Sequence, residues 1–346
     1  MITRWLGPFL TVFLLVVSAG QSVAADSLSR MDACLLEQIK IADPNMSLAE
    51  LKTQCEVVIS VKEPVVTDEA DPKPMVEATP AEPVPLDESL ISRRIQAEKS
   101  TRFNPFVLSP HKRNYVLLAS YNDTPNYEIY NTPASDFDQV EIKFQLSFKI
   151  PVIERVMGTD ADLYVAYSNL SFWQAYNRKI SSPFRETIHE PEMFLIVPND
   201  WEIGGWRNSL FQVGVVHQSN GQGGFLSRSW NRLYANFIFE KDRFLVGLKP
   251  WRRINESDDD NPDITDFLGH YELTGIYKKG EHTFSLMLRN LFDGEGRDTF
   301  QVDWSFPLHK RWRGYVQYFN GYGESLIDYN ADTNRIGFGV QLTDWL

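Results

Sequence analysis

From about Asn114 onward the chain is built of short runs in which apolar and polar residues alternate, separated by turn-forming residues. The run 141–150 (EIKFQLSFKI) puts Ile142, Phe144, Leu146, Phe148 and Ile150 on one face and Lys143, Gln145, Ser147 and Lys149 on the other. A period of two marks a strand with one apolar and one polar face. Further runs lie near 113–122, 162–173, 190–198, 209–219, 230–240, 242–251, 267–278, 281–291, 297–306, 311–321 and 334–346. With 138–151 they predict twelve strands, an even number of the kind single-chain bacterial barrels use.

The last run alternates Ile336, Phe338, Val340 and Leu342 with Gly337, Gly339, Gln341 and Thr343, and the chain ends on Trp345-Leu346. It is similar to the C-terminal signal by which outer-membrane barrels are recognised for assembly, with Leu where Phe is usual. A secreted β-sandwich shows similar alternation and is the soluble alternative.

The segments before Asn114 are of other kinds. Residues 1–25 carry Arg4, an apolar core from about Leu6 to Val17 and small residues up to Ala25, the form of a secretory signal peptide. The core is too short for an N-terminal anchor, since a spanning helix needs about 20 residues. Residues 26–62 predict a helical hairpin, with a turn at Asp43-Pro44-Asn45, a capping box from Ser47 to Glu50, and Cys34 and Cys55 placed to staple the two helices. Residues 63–100 are rich in Pro and Glu and poor in bulky apolar residues, which predicts a disordered linker between a periplasmic N-terminal module and the 101–346 barrel. The fold class expected is therefore all-β, a twelve-stranded antiparallel transmembrane barrel with a small helical module ahead of it.

Composition agrees. Mean hydropathy is −0.31, yet the chain holds 9 Trp, 14 Tyr and 22 Phe, as a barrel does when polar lumen residues dilute the lipid face. The net charge of −12 argues against nucleic acid as a partner. No stretch after Val17 approaches a spanning helix, so a membrane role requires strands.

One candidate hairpin carries chemistry. In the stretch 217–234 (HQSNGQGGFLSRSWNRLY), His217 and Ser219 share a strand face with Phe211, Val213 and Val215, while Gln212, Gly214, Val216 and Gln218 take the other. After the loop, Asn231 shares a parity with Leu233, Ala235, Phe237 and Phe239. In a membrane barrel that greasy stripe faces lipid, and polar groups there are costly without a purpose. His217 is the one histidine this reading places in the neighbourhood; it can take the proton of Ser219 while the Asn231 amide oxygen holds its second N–H. A neutral third member leaves the developing charge less supported, so a bound cation is the natural helper. The loop 220–229 offers backbone carbonyls and the hydroxyls of Ser227 and Ser229, hard oxygen ligands that suit Ca²⁺. The bland alternatives are an ordinary His-x-Ser on a strand and a tight turn at Asn220-Gly221.

HQSNG, SRSWNRLY, SSPFRET (181–187), KPW (249–251), DDNPDIT (259–265) and GYGESLIDYN (321–330) occur in the order in which similar motifs occur in the outer-membrane phospholipase A family, which the chain resembles over most of residues 110–346. The resemblance implies a calcium-dependent phospholipase acting on phospholipid acyl esters, with no feature here that ranks sn-1 over sn-2. It implies His217 as general base, Ser219 as nucleophile, Asn231 as the residue orienting the imidazole and Gly221 as oxyanion N–H donor. It also implies Ser227, the backbone of Gln222 and, from a second copy in an active homodimer, Ser181 as calcium ligands. Asp260 matches an acidic residue of a calcium site of the monomer; Gly224, where some members carry aspartate, puts that site in doubt. The expected place of work is the bacterial outer membrane, and the rival readings are a non-catalytic porin-like barrel and a soluble secreted esterase.

Overall fold

The computed structural model describes residues 89–343, apart from 103, 105, 106, 131, 132, 134, 135, 258, 293, 310 and 311. The expected signal peptide, the Cys34–Cys55 hairpin, most of the linker and the terminal Trp345-Leu346 lie outside the described residues.

Twelve strands of eight residues or more follow one another: β1 (Asn114–Asn122), β2 (Val140–Ile153), β3 (Asp162–Trp173), β4 (Phe184–Pro198), β5 (Trp206–Ser219), β6 (Ser229–Lys241), β7 (Phe244–Ile254), β8 (Tyr271–Lys279), β9 (His282–Arg289), β10 (Thr299–His309), β11 (Trp312–Gly321) and β12 (Thr333–Thr343). Each pairs antiparallel with its neighbours in sequence, and β12 returns to β1, with Gln341 opposite Tyr115 and Arg335 opposite Asn122. Two-residue segments, Ser109–Pro110 beside β2 and Glu202–Ile203 beside β5, add to the wall without changing its closure. A closed sheet has no edge, so every strand finds its backbone partners within the wall.

The side chains are sorted the opposite way from a soluble core. On β2, Lys143 and Lys149 are 2% and 5% exposed, whereas Leu146 and Ile150 are 47% and 43% exposed. Leu118, Leu233, Leu248, Leu286 and Phe338 continue the exposed apolar band around the outside, and Glu141, Glu190, Glu192, Asp303, Gln317 and Arg335 are buried within. A β-sandwich would bury the stripe that this wall exposes. The soluble alternative is thereby set aside.

The two ends of the barrel differ. Two-residue turns join β6 to β7 and β8 to β9, and the opposite end carries the long connections 123–139, 174–183, 220–228, 255–270 and 322–332. In outer-membrane barrels short turns are periplasmic and long loops external. The HQSNG segment closes β5 at the long-loop end.

The sequence reading of 63–100 as disordered linker needs correction at its end. Residues Leu90–Thr101 form helix α1, capped by Ser89, whose side chain accepts from the Ser92 N–H at 3.1 Å. The helix enters the lumen at the short-turn end. Ile91 is buried with Leu210 and Ile238, Ser89 and Glu240 are hydrogen-bonded, and Arg102 reaches Glu154 and Asp162 at 2.9 and 2.7 Å. Composition averages hid this helix, because its few apolar residues find partners only inside the barrel.

Toward the long-loop end, the lumen holds a continuous ionic network. Arg185 bonds Glu141 at 3.0 Å and Asp328 at 2.7 Å, Arg335 bonds Glu141 at 2.9 Å and Glu324 at 2.7 Å, and Lys143 bonds Glu324 at 2.9 Å. Glu324 and Asp328 come from the GYGESLIDYN segment, which folds inward with Leu326, Ile327 and Tyr329 buried. Two further expectations shift. β4 starts at Phe184 rather than near 190, because Pro191 sits within the strand instead of ending it. Part of the strand expected at 267–278 is a short helix α2 (Ile264–Leu268), with β8 beginning at Tyr271.

Candidate active site on the outer wall

β5 and β6 are in register with Val215 opposite Leu233, His217 opposite Asn231 and Ser219 opposite Ser229. Directly opposed residues of an antiparallel pair leave the same face. The inner faces of these strands contribute Gln212, Gln218, Arg232, Tyr234, Asn236 and Ile238 to a lumen cavity of about 980 Å³, and His217, Ser219 and Asn231 do not line it. The three polar groups therefore point outward, beside Leu233, which is 48% exposed.

His217 Nδ1 and Asn231 Oδ1 are 2.8 Å apart. An amide oxygen only accepts, so Nδ1 carries the hydrogen and Nε2 keeps a free lone pair. Ser219 lies two residues further along the same face, and among the described residues it is not hydrogen-bonded to His217.

The loop after Ser219 is not a tight Asn-Gly turn. Asn220 is buried and ties a nine-residue connection together. Its amide donates to the Leu226 carbonyl at 2.8 Å, and its Oδ1 accepts from the Arg228 N–H at 3.0 Å and the Gln222 N–H at 3.3 Å. Gly221, immediately after it, holds φ +63°, a left-handed value that suits glycine. It is exposed, two residues beyond Ser219 in the chain.

The residues expected to bind calcium are partly assembled. Ser227 Oγ donates to Asp260 Oδ2 at 2.6 Å, and Asn261 Oδ1 pins the loops by accepting the Ser229 N–H at 3.0 Å. Gln222 is exposed on the same loop, and Ser181 is exposed in the β3–β4 connection with φ +64°. Neither is hydrogen-bonded to the Ser227–Asp260 pair among the described residues. Among the described residues no group of three or more His, Cys, Asp or Glu is arranged to hold a metal ion. A hydroxyl, one carboxylate and open backbone carbonyls fit a hard cation such as Ca²⁺.

Sequence reasoning missed three neighbours. His189 of β4 lies directly opposite Ser219, so His217 is not the one histidine near the serine; the two are 30 positions apart in sequence, and strand pairing brings them together. Asn220 organises the loop from within. Glu256, just beyond β7, faces both His217 and the backbone of Asn231, and its Oε1 is buried without a hydrogen-bond partner. Burial pushes the Glu256 carboxyl above the usual range, against the pull of His217 and Arg253, and Asp259 adds to the rise.

Residues 91–342 match the family model described as Phospholipase A1. The chain belongs to the phospholipase A1 family. Among relatives, a phospholipase A1 of Klebsiella pneumoniae is 40% identical over 243 residues, 70% of this chain and 84% of that protein. The solved structure of outer membrane phospholipase A from Escherichia coli matches with a TM-score of 0.67 at 37% identity, covering 70% of this chain and 95% of the other. A Salmonella typhi outer membrane phospholipase, solved as a dimer with bound calcium, matches with a TM-score of 0.68 at 39% identity, covering 74% and 98%. The phospholipase A1 family thus shares both the twelve-strand barrel and the region that carries HQSNG and SRSWNRLY.

Proposed function

We propose that this chain is a calcium-dependent phospholipase that hydrolyses acyl esters of phospholipids in the outer leaflet of the bacterial outer membrane and works as a homodimer. The observation that carries this reading is the outward-facing His217–Asn231 pair with Ser219 on the same lipid-side face. A phospholipid presents its ester near the membrane surface, and the candidate groups stand on the wall at the long-loop end, where that ester lies.

Ser219 Oγ attacks the ester carbonyl carbon while His217 Nε2 takes its proton, and the carbonyl π electrons move to oxygen. The Gly221 N–H donates to that oxyanion. Collapse expels the lysolipid alkoxide, which receives the proton from His217. Water, deprotonated by the same imidazole, then releases the fatty acid from Ser219. Asn231 holds the imidazole with Nε2 toward the serine throughout. Ca²⁺, when bound by Ser227 and the Gln222 carbonyl with Ser181 from a second copy, supplies positive charge for the developing oxyanion. Asp260, hydrogen-bonded to Ser227, would hold the cation in the single chain.

The exposed Ser181, unbonded to Ser227 and Asp260 among the described residues, supports a site completed by a second copy. A porin-like role is disfavoured by α1 at one end of the lumen and the buried 324–329 segment at the other. Ser219→Ala decides the matter: hydrolysis of mixed phospholipid–detergent micelles with Ca²⁺ should fall by about 10⁴-fold or more, with heat-modifiable electrophoretic mobility unchanged. Full activity in that variant rejects the mechanism.

A further inference from the structure

His189 is the second imidazole on the outer wall at this site. It is the direct cross-strand partner of Ser219, and opposed Cα atoms in such pairs lie only about 4.5–5.5 Å apart. Its neighbours on β4 in the buried series, Ile188 and Glu190, face the lumen, so alternation sends the His189 ring to the same side as Ser219.

The ring is held at one nitrogen and open at the other. Nδ1 lies 2.6 Å from the Tyr167 hydroxyl on β3. That separation is short for an N–H donor and ordinary for an O–H donor. With the phenol donating to Nδ1, the ring hydrogen sits on Nε2. The free edge faces the loop: a Cβ on Gly221 would stand 3.7 Å from His189 Cδ2 and 3.8 Å from Nε2. The Nε2–H thus lies beside the backbone expected to receive the oxyanion, across the strand from the nucleophile.

We infer that His189, oriented by Tyr167, is a catalytic residue that donates an Nε2–H hydrogen bond to the ester oxygen as negative charge develops on it. The inference rests on Ser219 being the nucleophile. His189 transfers no proton in this step. Ser219 Oγ forms the new bond to carbon, His217 accepts the proton, the carbonyl π pair moves to oxygen, and the His189 and Gly221 N–H groups both donate to that oxygen. A neutral Asn231 in the third position makes such support useful, because no carboxylate within the triad offsets charge at the reacting centre.

The test compares His189→Phe, His189→Gln and Ser219→Ala in full-length protein, assayed on mixed micelles with saturating Ca²⁺ after barrel folding is verified by electrophoretic mobility. Phenylalanine keeps an aromatic ring against lipid and removes the donor; kcat should fall by about 10²-fold with KM within a few-fold. Glutamine restores an N–H at similar reach and should recover most of that loss. Retention of parental kcat in His189→Phe, or a loss confined to KM, overturns the role of His189. If Ser219→Ala stays active, the nucleophile assignment fails instead, and the two failures are distinguishable.

Discussion

The two faces of the β5–β6 hairpin use the same backbone for different ends. On the lumen side every large side chain is clamped. Trp230 is fully buried and donates to Gln218 at 2.7 Å, Arg232 lies 4.1 Å from the Trp230 ring and 5.3 Å from that of Trp251, and Lys249 caps the Tyr234 ring at 4.0 Å. On the outer side His217 and Asn231 share one hydrogen bond, with Val215 and Leu233 beside them on the same face. The inner face fixes the wall; the outer face keeps a few reactive groups on that fixed wall with free valence toward lipid. Catalytic groups need positions held to fractions of an ångström, and here a packed lumen behind them provides it.

Perturbing the two faces should therefore give different readouts. The largest effect belongs to the outer face: excess EDTA should lower turnover by about 10²–10³-fold without unfolding the barrel, with recovery on adding Ca²⁺. Unchanged turnover in EDTA removes the cation from the reaction. On the inner face, Arg185→Ala strips a partner from Glu141 and Asp328 and should cost about 3–5 kcal/mol of stability, seen as a lower unfolding midpoint in detergent. Its specific activity while folded should change much less than its midpoint.

Asn231→Ala is intermediate. Only the orientation of His217 suffers, so a drop of roughly 10–100-fold in kcat with an unaltered midpoint is expected. A loss as deep as that of Ser219→Ala would give Asn231 a larger part than orientation. The smallest effect is that of Glu256→Gln. A carboxyl held above its usual range favours folding while protonated and loses that contribution as pH rises from the unfolded value, about 4.3, through the raised folded value. The glutamine variant should match the parent at low pH and become slightly the more stable above that window, in urea titrations at several pH values. Equal pH dependence in the two proteins would show that the carboxyl is not strained by its burial.

Strand number and the sidedness of each strand were legible because a period of two survives any register. The run 141–150 and the parity of Phe211, Val213, Val215, His217 and Ser219 already set which residues share a face. Boundaries were less legible where a residue had two uses. Pro191 looks like a strand breaker in sequence, yet it sits within β4. Residues 90–101 share the composition of a linker, and their helix gains its burial from residues far along the chain, Leu210, Ile238 and Glu240 among them. The site followed the same division. His217, Ser219 and Asn231 lie within fifteen residues, and a hairpin is a local structure, so their shared face and the pairing of His217 with Asn231 could be read directly.

What the sequence determined by itself was the periodicity, the closing count of strands and the local trio, all of which depend on neighbours along the chain. The company those residues keep was settled by the assembled sheet alone. His189 opposite Ser219, Glu256 beside His217, Asp260 under Ser227 and the network from Glu141 to Arg335 all join residues on different strands or loops. Such meetings depend on register and closure, quantities set by the whole sheet at once, and no pattern local to either partner carries them.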